Sequence, residues 1–390
     1  MDFVVIAVGI FSSKSVTGGD VILSELAKKL VRQGERVVIL TSKTGEAAFR
    51  GQGLDVEYWI IANDEGTSEA SFLRVLSGLP VRMVKATYVL RKKKLVKGTI
   101  LFTCTDLLYD IFPTLFISGN RVKRIFPFYQ IMPNPFNLSV RPPNQKCRVP
   151  TLRQALAYLQ QRLSLWGHRH ACDFVFSLSY LQDFLIKEGI TERKIVGFVP
   201  GIDWEAANNA VASGKRYDAC WMGRYHPMRG CEDLISIWEL VCKEKGEAKL
   251  AIIGSAGKIL EPLIREKHLE NNIDILGFVT DEVKFKTIKE SKMLIFPSYN
   301  ESGSTTINDG MACGLPVIAY DLSVYKSMYP RGMLEVPLGN QGVFASEVIK
   351  LLKEDGRREQ LSVEAKEIAS QWSWERVFEN FLSGITCVGK

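Results

Sequence analysis

The stretch from Leu294 to Asp321 limits what this chain can fold into more than any other. It reads as strand, loop, helix, turn, strand. Leu294 to Phe296 is a short apolar run closed by Pro297, as expected of a strand buried on both faces of a parallel sheet. Residues 301–306 are small and polar around Gly303. A helix then carries Ile307, Met311 and Ala312 on one side. Gly314 and Pro316 end it, and Val317 to Ala319 give the next strand. A repeat of such units makes an α/β protein with a parallel sheet.

The chemistry of this stretch sits in its loop. Small residues let the backbone amides of Ser302, Gly303, Ser304 and Thr305 approach a ligand, and the following helix points its positive end into the same space. That combination suits phosphate. Two acids flank it, Glu301 and, eight positions on, Asp309. Carboxylates beside a phosphate cradle suit sugar hydroxyls, which donate hydrogen bonds to them. An ordinary strand-to-helix turn with acids on its solvated side fits the loop alone equally well.

Two further β–α–β passages follow the same pattern. Phe3 to Val8 is a strand, Gly18 and Gly19 come just before a helix over Val21 to Gln33, and Val37 to Thr41 is the next strand. The spacing Gly-x-Gly-x-x-Gly is absent, so a dinucleotide fingerprint is not supported. Ala219 to Met222 is a strand ending in Gly223 and Arg224, with Arg229 and Gly230 next and a helix from Cys231. Two cations at a strand's carboxyl end suit a diphosphate leaving group.

Pro297-Ser298-Tyr299-Asn300-Glu301, the second acid, and then Gly310 to Ala319 closely resemble the donor-site signature of retaining glycosyltransferases of the GT-B fold, family 4. In that family the second acid is usually Glu, one methylene longer than Asp309, and Gly often stands where Ser302 is. The resemblance implies two Rossmann-like, doubly wound domains facing a central cleft. It implies an N-terminal acceptor domain over 1–205, a nucleotide-sugar domain over 206–372 and a terminal helix, 373–390, packing back on the first. It assigns the donor diphosphate to Gly223, Arg224 and Arg229, with Arg229 at a position usually held by Lys. It assigns the sugar to Glu301, the ribose to Asp309 and the nucleobase to the segment Gly277, Phe278, Val279. On the acceptor side it implies Gly18, Gly19 and Gln130, the last near a position where His is common.

The activity so implied is retaining transfer from a nucleotide-diphosphate sugar to a hydroxyl of a glycan or lipid-linked acceptor, with no metal and no other cofactor. A sugar-nucleotide epimerase, a phosphorylase or a non-catalytic sugar-nucleotide binder remain open as alternatives.

The 390 residues suffice for two domains. No run approaches the roughly 18 to 20 apolar residues that cross a bilayer. Residues 1–11 read as a first strand and not a signal peptide, so a cytoplasmic location is expected. The eight cysteines form no Cys-x-x-Cys pair, and His168, His170 and Cys172 do not share a helix face. Reduced thiols packed as small hydrophobes are expected, not a metal site.

Charge is unevenly placed. Residues 1–200 hold 27 Lys and Arg against 16 Asp and Glu. Residues 71–100 contain no acid and eight bases, Arg74, Arg82, Lys85, Arg91, Lys92, Lys93, Lys94 and Lys97, interleaved with apolar residues. This reads as an interfacial helix, over 71–97, on an anionic membrane surface, where each base contributes on the order of 1 kcal/mol. The solvated basic side of a domain helix is the alternative. No nucleic-acid module is recognisable. Asn137 to Pro150, rich in Pro, Asn and Arg, reads as a loop.

Overall fold

The computed structural model describes residues 2–11, 18–64, 72–132, 134–137 and 151–387. Apolar runs such as Phe3–Ile6, Ile100–Phe102 and Leu250–Ile253 are buried throughout, which requires layers of helix on both faces of each sheet. Two compact units result, each with its own parallel sheet. Most of the loop expected at 137–150 lies outside the described residues.

The first unit contains β1 (Asp2–Ala7), α1 (Gly18–Arg32), β2 (Arg36–Thr41), α2 (Lys43–Gly51), β3 (Glu57–Ile60), α3 (Phe72–Lys92), β4 (Thr99–Thr103), α4 (Leu108–Leu115), β5 (Val122–Phe128), α5 (Leu152–His170), β6 (Phe174–Leu178), α6 (Gln182–Lys187) and β7 (Ile195–Phe198). Its strand order is β3-β2-β1-β4-β5-β6-β7, all parallel. The chain leaves β1 in one direction and returns to lay β4 on the other side. Right-handed crossovers then place α1 and α2 on one face and α3 to α6 on the other. Gly18 and Gly19 form the first turn of α1 instead of preceding it, because the helix begins three residues before its first apolar position.

In α3, Leu79, Ala86 and Leu90 turn inward. Arg82, expected on the basic surface, turns inward with them. Its guanidinium donates to the carbonyls of Val8 (3.0 Å) and Ile10 (2.7 Å), pairs with Asp64 and lies over the Phe11 ring. Carbonyls at the end of β1 need donors, and Arg82 supplies them.

The second unit contains α7 (Trp204–Asn209), β8 (Ala219–Met222), α8 (Cys231–Glu244), β9 (Leu250–Ile253), α9 (Ala256–Glu266), β10 (Ile273–Gly277), α10 (Asp281–Lys289), β11 (Leu294–Phe296), α11 (Thr305–Ala312), β12 (Val317–Tyr320), α12 (Ser323–Met328), β13 (Met333–Val336), α13 (Gln341–Lys353) and α14 (Asp355–Ala369). The order is β10-β9-β8-β11-β12-β13, again all parallel. The order reverses between β8 and β11, so the loops after these two strands lie side by side. In an open α/β sheet that is where ligands bind.

The last helix, α15 (Trp374–Cys387), belongs to the first unit. Phe381 sits among Phe3, Phe102, Phe174 and Phe176, with ring centroids 5.2 Å apart from Phe102 and Phe176.

Candidate functional site

In the second unit the loops after β8 and β11 are locked together by backbone. Pro227–Arg229 is a single tight turn closed by Gly230, which has a φ of +60°. A Cβ on Gly230 would lie 1.8 Å from the Pro297 carbonyl oxygen, so only glycine allows the two loops this close. The Tyr299 N–H donates to the Met228 carbonyl at 2.8 Å. Below them Asp233, in the first turn of α8, accepts from the hydroxyls of Tyr299 (2.7 Å) and Tyr320 (2.6 Å).

This docking brings Arg229 to Glu301. Arg229 Nη1 is 3.0 Å from Glu301 Oε1, and Ser298 Oγ donates to the same oxygen at 2.7 Å. The Glu301 side chain is 4% exposed and that of Arg229 34%. Burial pushes the Glu301 carboxyl upward, and Arg229 and Ser298 oppose this. One guanidinium N–H contact leaves Arg229 further donors for a ligand. Arg224 is exposed on the same loop, five residues earlier.

The loop over Ser302–Thr305 is tied down on one side. Gly303 has a φ of +105°, and Ser304 caps α11, its Oγ accepting from the Ile307 N–H. The Ser304 N–H donates to Tyr329 Oη (3.2 Å). Tyr329 donates to Asn308 Oδ1 (2.9 Å), and Asn308 Nδ2 donates to the Pro200 carbonyl (3.0 Å). Of the four amides expected to face phosphate, that of Ser304 therefore serves the fold. Ser302, Gly303 and Thr305 remain at the helix's positive end.

Asp309 faces Lys284 of α10, with Nζ 3.1 Å from Oδ2, while Asp281 Oδ1 lies 2.9 Å from the same ammonium. Burial pushes the Asp309 carboxyl up and Lys284 opposes it. Burial pulls Lys284 down, but Asp309 and Asp281 outweigh it and its net shift is upward. The acid expected at the ribose is thus half of an ion pair.

Gly277, at the end of β10, has a φ of +68°, and its carbonyl accepts from the Gly254 N–H at 2.7 Å. A Cβ on Gly254 would come within 2.4 Å of the Gly223 carbonyl. The ends of β8, β9 and β10 therefore touch through glycines. Phe278 follows, 75% exposed, and Val279 is half-buried.

The acceptor-side residues lie in the first unit. Gly18 is exposed and Gly19 half-buried in the first turn of α1. Gln130 follows β5, and its carbonyl accepts from Gln161 Nε2 at 2.6 Å. Gln161, buried on α5, also donates to Asp106 Oδ2 (2.6 Å) and accepts from the Met132 N–H (2.7 Å). Asp106 is buried, which pushes its carboxyl up to about 6 against the Gln161 donor. The Tyr129 hydroxyl is buried without a hydrogen-bond partner among the described residues. Among the described residues no group of three His, Cys, Asp or Glu is placed to hold a metal ion. The ring nitrogens of His168 each face a carbonyl, of Ser164 and Pro127, at 3.0 Å.

The sequence assigns no role to Ser298, Tyr329, Asn308, Lys284, Asp106 or Gln161. Of these, only Ser298 lies inside the motif, three positions before Glu301. Asn308 neighbours Asp309 on α11, and the others come from helices and loops further away along the chain.

Residues 203–368 match the family described as glycosyl transferases group 1. The chain is similar to the poly(glycerol-phosphate) alpha-glucosyltransferase of Bacillus subtilis, 24% identical over 56% of this chain and 33% of that protein. It is also similar to the O-antigen chain mannosyltransferase B of Escherichia coli, 23% identical over 40% of this chain and 42% of that one. These matches span between about a third and two fifths of the relatives' length. In structure the chain resembles Anabaena HepE, solved in complex with UDP and glucose, with a TM-score of 0.74, 14% identity and 99% of each chain covered. The fold is GT-B, with two Rossmann-like α/β domains.

Proposed function

We propose that this chain is a retaining glycosyltransferase of family 4 that uses a nucleotide-diphosphate sugar. The observation carrying the reading is the Arg229–Glu301 pair, held by the Gly230–Pro297 contact beside the positive end of α11. The family match over 203–368 covers all of these residues.

As the diphosphate leaves, charge develops on its oxygens. Arg224, the remaining donors of Arg229 and the amides of Ser302, Gly303 and Thr305 stabilise that charge. This positive charge makes a metal ion unnecessary in the proposed mechanism. Glu301, buried and oriented through Oε1, uses its carboxylate to hold sugar hydroxyls. Asp309 and Lys284 together face the ribose, and Phe278 offers an exposed ring beside the base. The acceptor hydroxyl attacks from the face that the diphosphate leaves, and the departing phosphate takes its proton. The acceptor is a glycan or a lipid-linked precursor, met at an anionic membrane surface through 71–97 on the cytoplasmic side. One relative is named for poly(glycerol-phosphate) and another for the O-antigen chain, which supports an acceptor of this class.

Product analysis with a panel of nucleotide sugars tests the reading. Transfer with retained anomeric configuration, undiminished by a chelator, is expected. Conversion of the nucleotide sugar without acceptor would instead mark an epimerase, and binding without turnover a non-catalytic protein.

A further inference from the structure

In the first unit, α3, α4 and α5 pack side by side on one face of the sheet. Each follows a strand of the same parallel sheet, so all three run in one direction, and their carboxyl ends gather at the amino-terminal edge of the strands. The outer side of this layer is apolar where a solvated surface is normally polar. Val81, Val84 and Tyr88 of α3 are each more than half exposed, at spacings of three and four that make one stripe. Leu159, Leu163 and Trp166 of α5 are likewise more than half exposed and make a second stripe. Phe116, exposed at the end of α4, stands between them.

The three exposed rings, Tyr88, Phe116 and Trp166, thus come one from each helix and at the same end of the layer. Arg91 of α3 reaches across to one of them: its guanidinium is 5.8 Å from the Phe116 ring and its Nε donates to the Phe116 carbonyl at 3.4 Å. Lys92 Nζ lies 5.9 Å from the Tyr88 ring.

The charge that these three helices themselves carry on their outer side has one sign. Neither α3 nor α5 contains an acid, and the one acid of α4, Asp110, is buried. On α5, Arg162 and Arg169 both pair with Glu188. On α3, Lys85, Arg91 and Lys92 are exposed and have no carboxylate partner among the described residues. Apolar stripes, aromatic rings at one level and unneutralised bases beside them are what a peripheral protein presents to a bilayer. A soluble anionic polymer would use the bases but gain nothing from Leu159, Leu163 or Val84.

We infer that the outer face of α3, α4 and α5 is a docking surface for an anionic phospholipid bilayer, with Trp166 and Tyr88 entering the headgroup layer and Lys85, Arg91 and Lys92 facing the lipid phosphates. This extends the single basic segment read from sequence to a surface of three helices. It stands whether or not the sugar-transfer reading holds.

Co-sedimentation of the full chain with vesicles of phosphatidylcholine, alone or mixed with phosphatidylglycerol, tests it. Binding is expected only with the anionic lipid, weakening as salt rises. The pairs Lys85→Glu with Lys92→Glu, and Leu163→Glu with Trp166→Glu, should each weaken binding about tenfold or more, while Trp166→Phe retains it. Should the Glu variants fail to fold, Trp166→Ser replaces them. The melting-temperature rise given by a nucleotide sugar, a property of the second unit, should be unchanged in every variant. No binding to anionic vesicles overturns the inference. So does binding that charge reversal abolishes but Leu163 and Trp166 substitution leaves intact. A dimer in sedimentation velocity that Trp166→Glu splits would assign the face to a second copy instead.

Discussion

Gly230 and Pro297, 67 positions apart, approach so closely that a methyl group on the first would overlap the carbonyl oxygen of the second. The contacts between the loops after β8 and β11 gather around that approach. Met228 receives the Tyr299 amide just beside it, and Arg229 reaches Glu301 just above it.

Gly230→Ala therefore tests the scaffold. The new Cβ meets both a backbone clash and a left-handed φ, so the loops must part. A loss of roughly 2–4 kcal/mol in stability is expected, in the range of backbone strain combined with overpacking. Chemical denaturation measures it. A fall below about 0.5 kcal/mol would mean the loops are not held by this contact.

Arg229 and Glu301 depend on each other. Removing the arginine leaves a buried carboxylate without its cation, so Arg229→Met should destabilise by about 1–3 kcal/mol, less than a fully buried pair because Arg229 is partly open to water. Adding Glu301→Gln should recover most of that stability, since no charge is then left buried. Neither single variant nor the double one should transfer sugar. Melting curves and turnover, measured together, separate the two effects.

Lys284 holds Asp309, and Lys284→Met should act on donor binding more than on the chemical step. The expected result is a rise of about tenfold in KM for the nucleotide sugar with kcat changed less than threefold. Loss of kcat with KM intact would remove Lys284 and Asp309 from the ribose.

Asp106 gives a pH dependence whose sign is fixed by burial. Its carboxyl rises from an ordinary 3.8 to about 6 in the fold, so the folded protein holds this proton more tightly than the unfolded chain. Its favourable contribution is present below about 4 and is lost as pH rises through about 6. Asp106→Asn lacks this dependence. The stability of the wild type relative to the variant should therefore fall by up to ~3 kcal/mol between pH 4 and 7. A difference that is flat, or rises with pH, would contradict the buried Asp106–Gln161 arrangement.

Local order was legible and distant contact was not. The strand, loop and helix over Leu294–Ala312 follow from apolar spacing and from Gly303, Gly314 and Pro316, which act on their neighbours. Arg229 was legible as a cation at a strand end, but its partner was not, because the pair forms only when β8 and β11 lie adjacent. In sequence Lys284 is one base among several on a helix, and only the packing of α10 turns it toward Asp309. Arg82 failed in the opposite sense, since a basic residue in a basic run gives no sign that the carbonyls of Val8 and Ile10 need it. The stripe of Leu159, Leu163 and Trp166 has helical spacing, yet Leu165 and His168 on the same helix are the buried ones. Periodicity alone does not say which side meets the sheet.

The most direct test of the donor site is the melting temperature of the wild type and of Arg224→Ala with UDP, GDP, ADP and their sugars. A ligand that binds the folded state raises that temperature. One nucleotide series should raise it in the wild type, its sugar conjugate included, and Arg224→Ala should abolish the rise while remaining folded. No shift with any of them, or an equal shift in Arg224→Ala, would contradict a diphosphate held at the ends of β8 and β11.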